Sequence, residues 1–456
     1  MIPPKYSPFA LAEKIAGRPI APATRRFLTD SLLYSSAGFV PKLFGLVMTR
    51  ITTHKLDPGD SAVLNNFIAA VALICILLSG QVETAVGRYY YEKKNDFPQF
   101  LGTVSLFTLG LSAAMTLQFW FFRDEWAGWF KFNPFVLKLA LATALAQIAH
   151  QIYTQLLVVQ KRSRAYLSYA IARQALFMAV AIALLTLTPP SYLCLVYAHA
   201  FMTVALAIPF LYAVVRRLRP AFQRAHLRYA FRFMAPVTLA GLAQCVLNYF
   251  DRVFISHHNL ALAGQYGFAY NVAMLVLMLS GGIFNAYMPR FYEAMNEGQT
   301  GMLQRMFTRN FRLLLLAAAG LILVSKPAAL LLGRPAYFGS LAIIPIVVTG
   351  YLFQYLWQCH ALYLSYRRRY LMLFALSQVV LLAGLNVGLN VWLAPLCHYN
   401  VKVIALNTLI PWLVQWLLVL AIGRWLLREK MVGFQGLALP SAAYLVFATA
   451  WCFWGY

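Results

Sequence analysis

Two positive charges lie where a chain this apolar offers no obvious place for them. Lys42 is eleven residues past Ser31 in an uncharged run, about 16 Å along a helix rising 1.5 Å per residue. From that depth its stem is too short to reach either interface of a membrane. Arg173, followed by Gln174, is equally deep in a second run. An ionisable side chain in hydrocarbon costs roughly 3 kcal/mol or more unless it faces a wet cavity or a partner, so each such residue marks a candidate site. The chemistry on offer is anion binding. Arg grips the oxygens of a phosphate as a planar fork, and Lys attracts them as a point charge. The structural alternative for both is an ion pair or a hydrogen bond to a carbonyl of a neighbouring helix.

Embedded acids are fewer. Glu83 sits about five residues from the end of its run at Arg88, where pairing with Arg88 or Lys42 competes with a role as a proton or cation site. Asp251 and Arg50 occupy matching helix ends, which suggests an ion pair acting as a gate. His150 and His199 lie at mid-run depth and read as hydrogen-bonded packing residues. Asn and Gln are abundant in the second half, among them Asn248, Asn271, Asn386, Asn390 and Asn407. Some glue helices together; others are suited to sugar hydroxyls. The six cysteines lack metal-ligand or disulfide spacing and read as small buried hydrophobes. No constellation calls for a metal or a prosthetic group.

These residues need helices to hold them. At 61% hydrophobic and 11% charged over 456 residues, the chain is an integral membrane protein. Apolar runs of about 20 residues then mean membrane-spanning helices, because backbone in lipid must hydrogen-bond within its own segment. Runs fall near 31–51, 62–87, 98–122, 134–158, 165–187, 190–215, 232–251, 262–288, 312–333, 338–364, 371–395, 402–423 and 437–455, thirteen in all. The net charge of +25 is not a nucleic-acid footprint. With the N-terminus in the cytoplasm, most Lys and Arg fall on cytoplasmic segments, including Arg216, Arg217, Arg219, Arg224 and Arg228 in one loop; that asymmetry follows the positive-inside rule. The basic stretch with Lys5, Lys14 and Arg18 precedes a first helix that is retained, not cleaved.

The chain also repeats itself. "LSGQVETAVGRYYYE" from Leu78 returns 201 residues later as "LSGGIFNAYMPRFYE" from Leu279. In the same register Phe67 matches Phe268, Ser79 matches Ser280, Gly80 matches Gly281 and Glu92 matches Glu293. Six spans separate the copies, so both enter from the same side, as parallel repeats about an axis along the membrane normal do. The expected fold is an all-α polytopic membrane protein of two six-helix bundles, twelve core spans, with a C-terminal thirteenth. Its divisions are an N-terminal cytoplasmic segment 1–30, helices 1–6 over 31–215, a basic linker 216–231, helices 7–12 over 232–424, and a C-terminal segment 425–456. Pro41 and Pro236 lie in the opening helix of each half, where a missing N–H bends a helix and suits a gate.

"SLLYSSAGFVPKLFGLVMTRITTHKLDPGDSAVLNNF" resembles the opening of the oligosaccharide flippases of polysaccharide biosynthesis, in which a Pro-Lys helix leads to a short outer loop. "YFDRVFISHHNLALAGQYGFAYNVA" resembles their second-half counterpart, with Asp251-Arg252 and the Gly264-x-Tyr266-x-x-Ala269-Tyr270 pattern. Ser61-Ala62 departs from the Tyr-Gly usual in the first loop. The resemblance covers roughly residues 30–300.

What the resemblance implies is a member of the multidrug/oligosaccharidyl-lipid/polysaccharide exporter superfamily, not an enzyme. Its substrate would be a polyprenyl-diphosphate-linked oligosaccharide, turned from the cytoplasmic to the outer leaflet of a bacterial inner membrane by alternating access, for surface or exopolysaccharide assembly. Lys42 and Arg173 would hold the diphosphate. Glu83, Asp251, Arg50, Pro41 and Pro236 are the coupling or gating candidates, with Na⁺ or H⁺ as the coupling ion if transport is coupled. Membrane lipid, a polysaccharide polymerase and glycosyltransferases are the expected partners. Two relatives in the same superfamily remain as alternatives, a multidrug/cation antiporter and a peptidoglycan lipid-precursor flippase.

Overall fold

The structure, a computed structural model, describes residues 22–92, 96–216, 222–367, 371–428 and 431–455. Lys5, Lys14 and Arg18 of the N-terminal basic stretch, and Arg217 and Arg219 of the central loop, lie outside these residues. All regular structure among the described residues is helical: α1 Pro22–Lys55, α2 Pro58–Ser79, α3 Val82–Glu92, α4 Phe97–Phe121, α5 Arg123–Trp129, α6 Pro134–Val159, α7 Ser163–Leu187, α8 Tyr192–Val215, α9 Arg224–Ser256, α10 Leu260–Glu297, α11 Thr300–Leu323 and α12 Ser325–Leu332, then a 3₁₀ segment Pro335–Ile343, α13 Ile344–Arg367, α14 Leu371–Ser377, a π-helical segment Gln378–Gly384, α15 Leu385–Leu396, α16 Val401–Ala421, a π-helical segment Ile422–Leu426 and α17 Ala438–Trp454. Each of the thirteen apolar runs falls on helix. By length and composition eleven are long and apolar enough to cross a membrane, and Ala438–Phe453 is a shorter apolar helix. The helix α1 is not among the eleven.

Two bundles enclose separate cores. One gathers Phe67, Ile74, Val86, Phe100, Ala140 and Ile148. The other gathers Phe268, Val272, Phe307, Leu314, Tyr355 and Ile404. Both exclude water through large side chains that are almost wholly covered, such as Tyr89 and Phe130 in the first and Tyr266 and Phe291 in the second. The bundles meet where α2 packs along α10, and α9 packs on α2 and α3. Gly264 makes the first contact possible: a Cβ built on it would lie 1.8 Å from the carbonyl oxygen of Pro58, so backbone touches backbone. The early turns of α9 lean on the first bundle, with the Tyr229 hydroxyl donating to Glu92 at 2.7 Å and Arg88 stacked over Phe233 at 4.1 Å.

The repeated phrase does not take the same shape twice. The first copy breaks after Ser79, where Gly80 and Gln81 adopt left-handed backbone with φ of 52° and 54°. The second copy runs through Gly281 and Gly282 inside α10. The difference lies in the neighbours. Carbonyls freed by the break are taken by hydroxyls, that of Gly80 by Thr238 at 2.8 Å and that of Leu78 by Ser112 at 3.1 Å. Gly281 and Gly282 have open space around them. Pro41 and Pro236 both sit inside helices that continue past them.

Candidate functional site

Between the bundles lies a cavity of about 410 Å³ walled by α1 and α2 on one side and α9 and α10 on the other. Lys42 lines it and is exposed, without an ion pair among the described residues. Among the described residues no Asp or Glu lines it. Proline at 41 gives up one backbone donor beside Lys42, and Gly45, one turn on, leaves room on the cavity wall.

The second cavity cation is not Arg173 but Arg252, which lines the space from α9. Its guanidinium sits 5.0 Å from the Tyr270 ring centroid and 6.0 Å from that of Tyr249, a stack that holds the fork in place. Its Nε is buried without a hydrogen-bond partner, so a donor remains to be satisfied. Arg252 is the residue after Asp251 in the quoted motif, and its place near the end of a helix hid its access to the cavity. Asn65, Asn248 and Asn271 line the same space and bring amide groups to it.

One end of the cavity is sealed by an exchange of guanidinium groups. From the first bundle, Arg50 donates to the carbonyl of Leu331. From the second, Arg334 donates to the carbonyls of Thr53 at 2.8 Å and Leu56 at 2.9 Å, and reaches the Asp57 carboxylate at 3.2 Å. Each arginine satisfies carbonyls left open at the end of a helix of the other bundle. The hydroxyl of Thr53 donates to Leu332 at 2.7 Å, and that of Tyr337 donates to the Leu56 carbonyl at 2.9 Å. The gate expected between Arg50 and Asp251 is therefore not made. A helix end accepts a cation as readily as a carboxylate does, and sequence alignment of the repeats does not record which way each side chain turns.

Asp251 turns into the second bundle, where it is buried. Its Oδ1 accepts from the side-chain amides of Asn386 at 3.2 Å and Asn390 at 2.9 Å; its Oδ2 accepts from the Tyr266 hydroxyl at 3.0 Å and from the Thr408 hydroxyl. Asn407 donates to the amide oxygen of Asn390 at 3.0 Å. The amide oxygen of Asn386 is buried without a partner. Four helices thus converge on one carboxylate.

Arg173 belongs to a different group, inside the first bundle. It donates to Gln147 at 2.6 Å, while His150 bridges the Thr203 carbonyl at 2.8 Å and the Tyr169 hydroxyl. Expected as a packing histidine, His150 has the contacts of one. Glu83 pairs with neither Arg88 nor Lys42. Arg88 is taken by Glu92 at 2.7 Å, one turn along the same helix, and Glu83 Oε2 is buried without a hydrogen-bond partner. The Cys75 thiol donates to Gln151 at 3.5 Å, and the free cysteines form no disulfide.

The motif residues now have reasons. Gly264 admits Pro58, Tyr266 binds Asp251, Tyr270 carries Arg252, and Ala269 leaves no atom in the way, being fully covered.

Solved structures share this fold. A structure of the lipid II flippase MurJ in an inward closed conformation matches with a TM-score of 0.72 at 12% identity, covering 92% of each chain. A multidrug resistance MATE family transporter of the MOP superfamily, in an inward-facing conformation, matches at 0.63 and 15% identity over 84% of this chain and 94% of its own. The outward-facing conformation of a MATE transporter of that superfamily gives 0.57 at 15% identity, over 88% of this chain and 94% of its own. A search of curated protein sequences finds no match. The family model described as polysaccharide biosynthesis protein matches residues 27–295, more than half of the chain. With its two bundles, the cavity between them and that match, the chain belongs to the polysaccharide biosynthesis protein family.

Proposed function

We propose that the protein is a flippase that carries a polyprenyl-diphosphate-linked oligosaccharide from the cytoplasmic to the outer leaflet of a bacterial inner membrane by alternating access, for surface or exopolysaccharide assembly. The observation that carries this reading is the cavity between the bundles, which presents Lys42 and Arg252 and, among the described residues, no carboxylate. Two cations without local acids favour a doubly anionic ligand, and the polyprenyl tail would stay in lipid while the head group enters. The absence of acids from the lining disfavours the export of cationic drugs by this route.

In this reading the N-terminus is cytoplasmic and the end sealed by Arg50 and Arg334 faces outward. Residues 31–215 and 232–424 are the rocking lobes, and the helices carrying Pro41 and Pro236 are the gates. Arg173, held by Gln147, shapes the first bundle and does not touch the phosphates. Sugars beyond the diphosphate would meet the amides of Asn65, Asn248 and Asn271.

Asp251 is the coupling residue of this proposal, in preference to Glu83. Its surroundings offer hard oxygen atoms, namely the carboxylate itself, the Thr408 hydroxyl and the unpartnered Asn386 amide oxygen, and hard oxygens suit Na⁺. Binding an ion there would alter how α9 packs on α15 and α16. Asp251 is followed directly by Arg252, so the ion site and the anion site share one helix turn.

The test is the double substitution Lys42→Gln/Arg252→Gln. Export of surface polymer should stop, while the protein remains in the membrane at its normal level. Normal export by that variant would sink the proposal.

A further inference from the structure

Away from the central cavity, a groove of about 480 Å³ opens on the outer surface of the second bundle, between α11 and the segment that leads into α17. Three arginines of α11 line it, Arg305, Arg309 and Arg312. Their spacing of four and then three residues puts them on one face of the helix, along roughly 10 Å of its axis. None of the three makes an ion pair among the described residues. The wall opposite is fixed in place. The Gln304 side chain accepts from the Gly433 N–H at 2.7 Å and donates to the Gly433 carbonyl at 2.8 Å, and Arg312 donates to the Gly436 carbonyl at 2.8 Å. Below the arginines the groove ends on Leu313 and Leu316, which are 52% and 70% exposed.

Charge above and bare leucine below is the layout of a phospholipid at an interface. We propose that this groove binds an anionic phospholipid, its phosphate held by Arg305 and Arg309 and one acyl chain lying on Leu313 and Leu316. Arg312 already spends one donor on Gly436, and so ties the bound head group to the segment preceding α17. The site is remote from the cavity, and the inference stands whether or not the flippase reading does. It needs only that α11 crosses the membrane. Charge complementarity selects the ligand: three uncompensated guanidinium groups discriminate between anionic and zwitterionic head groups of the same chain length. Lipid bound here would brace α11 against the last helix, two elements that pack directly on each other.

The full chain, purified in neutral detergent, is titrated with phosphatidylglycerol, with phosphatidylcholine of the same acyl length, and with soluble glycerol phosphate. Bound lipid is counted by native mass spectrometry. Phosphatidylglycerol should bind roughly tenfold or more tightly than phosphatidylcholine, and Arg305→Gln/Arg309→Gln should abolish the preference. A control pair of equal charge, Arg224→Gln/Arg228→Gln on α9, should retain it. Equal binding of the two lipids by the unaltered protein would overturn the proposal, and so would equal losses in the two variants. Glycerol phosphate binding as tightly as the lipid would assign the groove to a free anion instead.

Discussion

Arg334 of the second bundle lies 3.2 Å from Asp57 of the first, yet that ion pair is the least of what its guanidinium does. The Asp57 side chain is 85% exposed, and a pair so open to water contributes about 0–1 kcal/mol. The same group donates to the Thr53 and Leu56 carbonyls, which have no helical partner. Asp57→Asn should therefore leave the seal intact, whereas Arg334→Gln should open it. A single cysteine placed at Thr52 in the cavity, with the exposed Cys397 removed, would report this through labelling by a membrane-impermeant maleimide. Arg334→Gln should raise labelling several-fold, and Asp57→Asn should not.

Gly264→Ala tests the same seal from the side of the backbone. A methyl group there would lie 1.8 Å from the Pro58 oxygen, and no rotamer change relieves a clash with main chain. Overpacking of this kind costs about 1–3 kcal/mol, charged here to the sealed state. The variant should remain folded with the two bundles parted at this end, and labelling at position 52 should rise. Unchanged labelling, with unchanged thermal stability, would mean that the contact is not needed.

Arg252 is more than a charge. Stacking on Tyr270 fixes the guanidinium plane, an arrangement that an ammonium does not reproduce. Arg252→Lys should weaken binding of a short polyprenyl diphosphate by about 3- to 30-fold, the range of a partly desolvated cation–π contact, and Arg252→Gln more so. Native mass spectrometry reads both. If Lys substituted without loss, the stack would have no part in binding.

The carboxylate of Asp251 answers four donors, and its loss leaves them facing one another. Asp251→Leu should lower thermal stability severely, because each buried donor left unpaired costs about 1–3 kcal/mol. Asp251→Asn keeps the size and loses the charge. Added Na⁺ should raise the melting temperature of the unaltered protein above that in choline, as binding to the folded state alone requires, and should do nothing for Asp251→Asn. Equal effects of Na⁺ on the two would remove Asp251 from the coupling role.

Much of the molecule is written locally. Apolar run length locates the eleven helices long and apolar enough to cross a membrane, because a helix in lipid has no other way to satisfy its backbone. Internal repetition announces two bundles, and Lys42 is legible as a cation at mid-run depth, which the structure places on the cavity wall. What needed the tertiary structure was direction. Arg173 and Arg252 are both cations on apolar helices, and only the turn of each helix against its neighbours sends one to Gln147 and the other to the cavity. Asp251 and Arg50 match in the repeat register, yet one faces its own bundle and the other crosses to Leu331. The two Ser-Gly pairs differ likewise, since a helix breaks only where Thr238 and Ser112 wait to take the freed carbonyls. A linear chain specifies which groups must be satisfied; packing selects the partner that satisfies each.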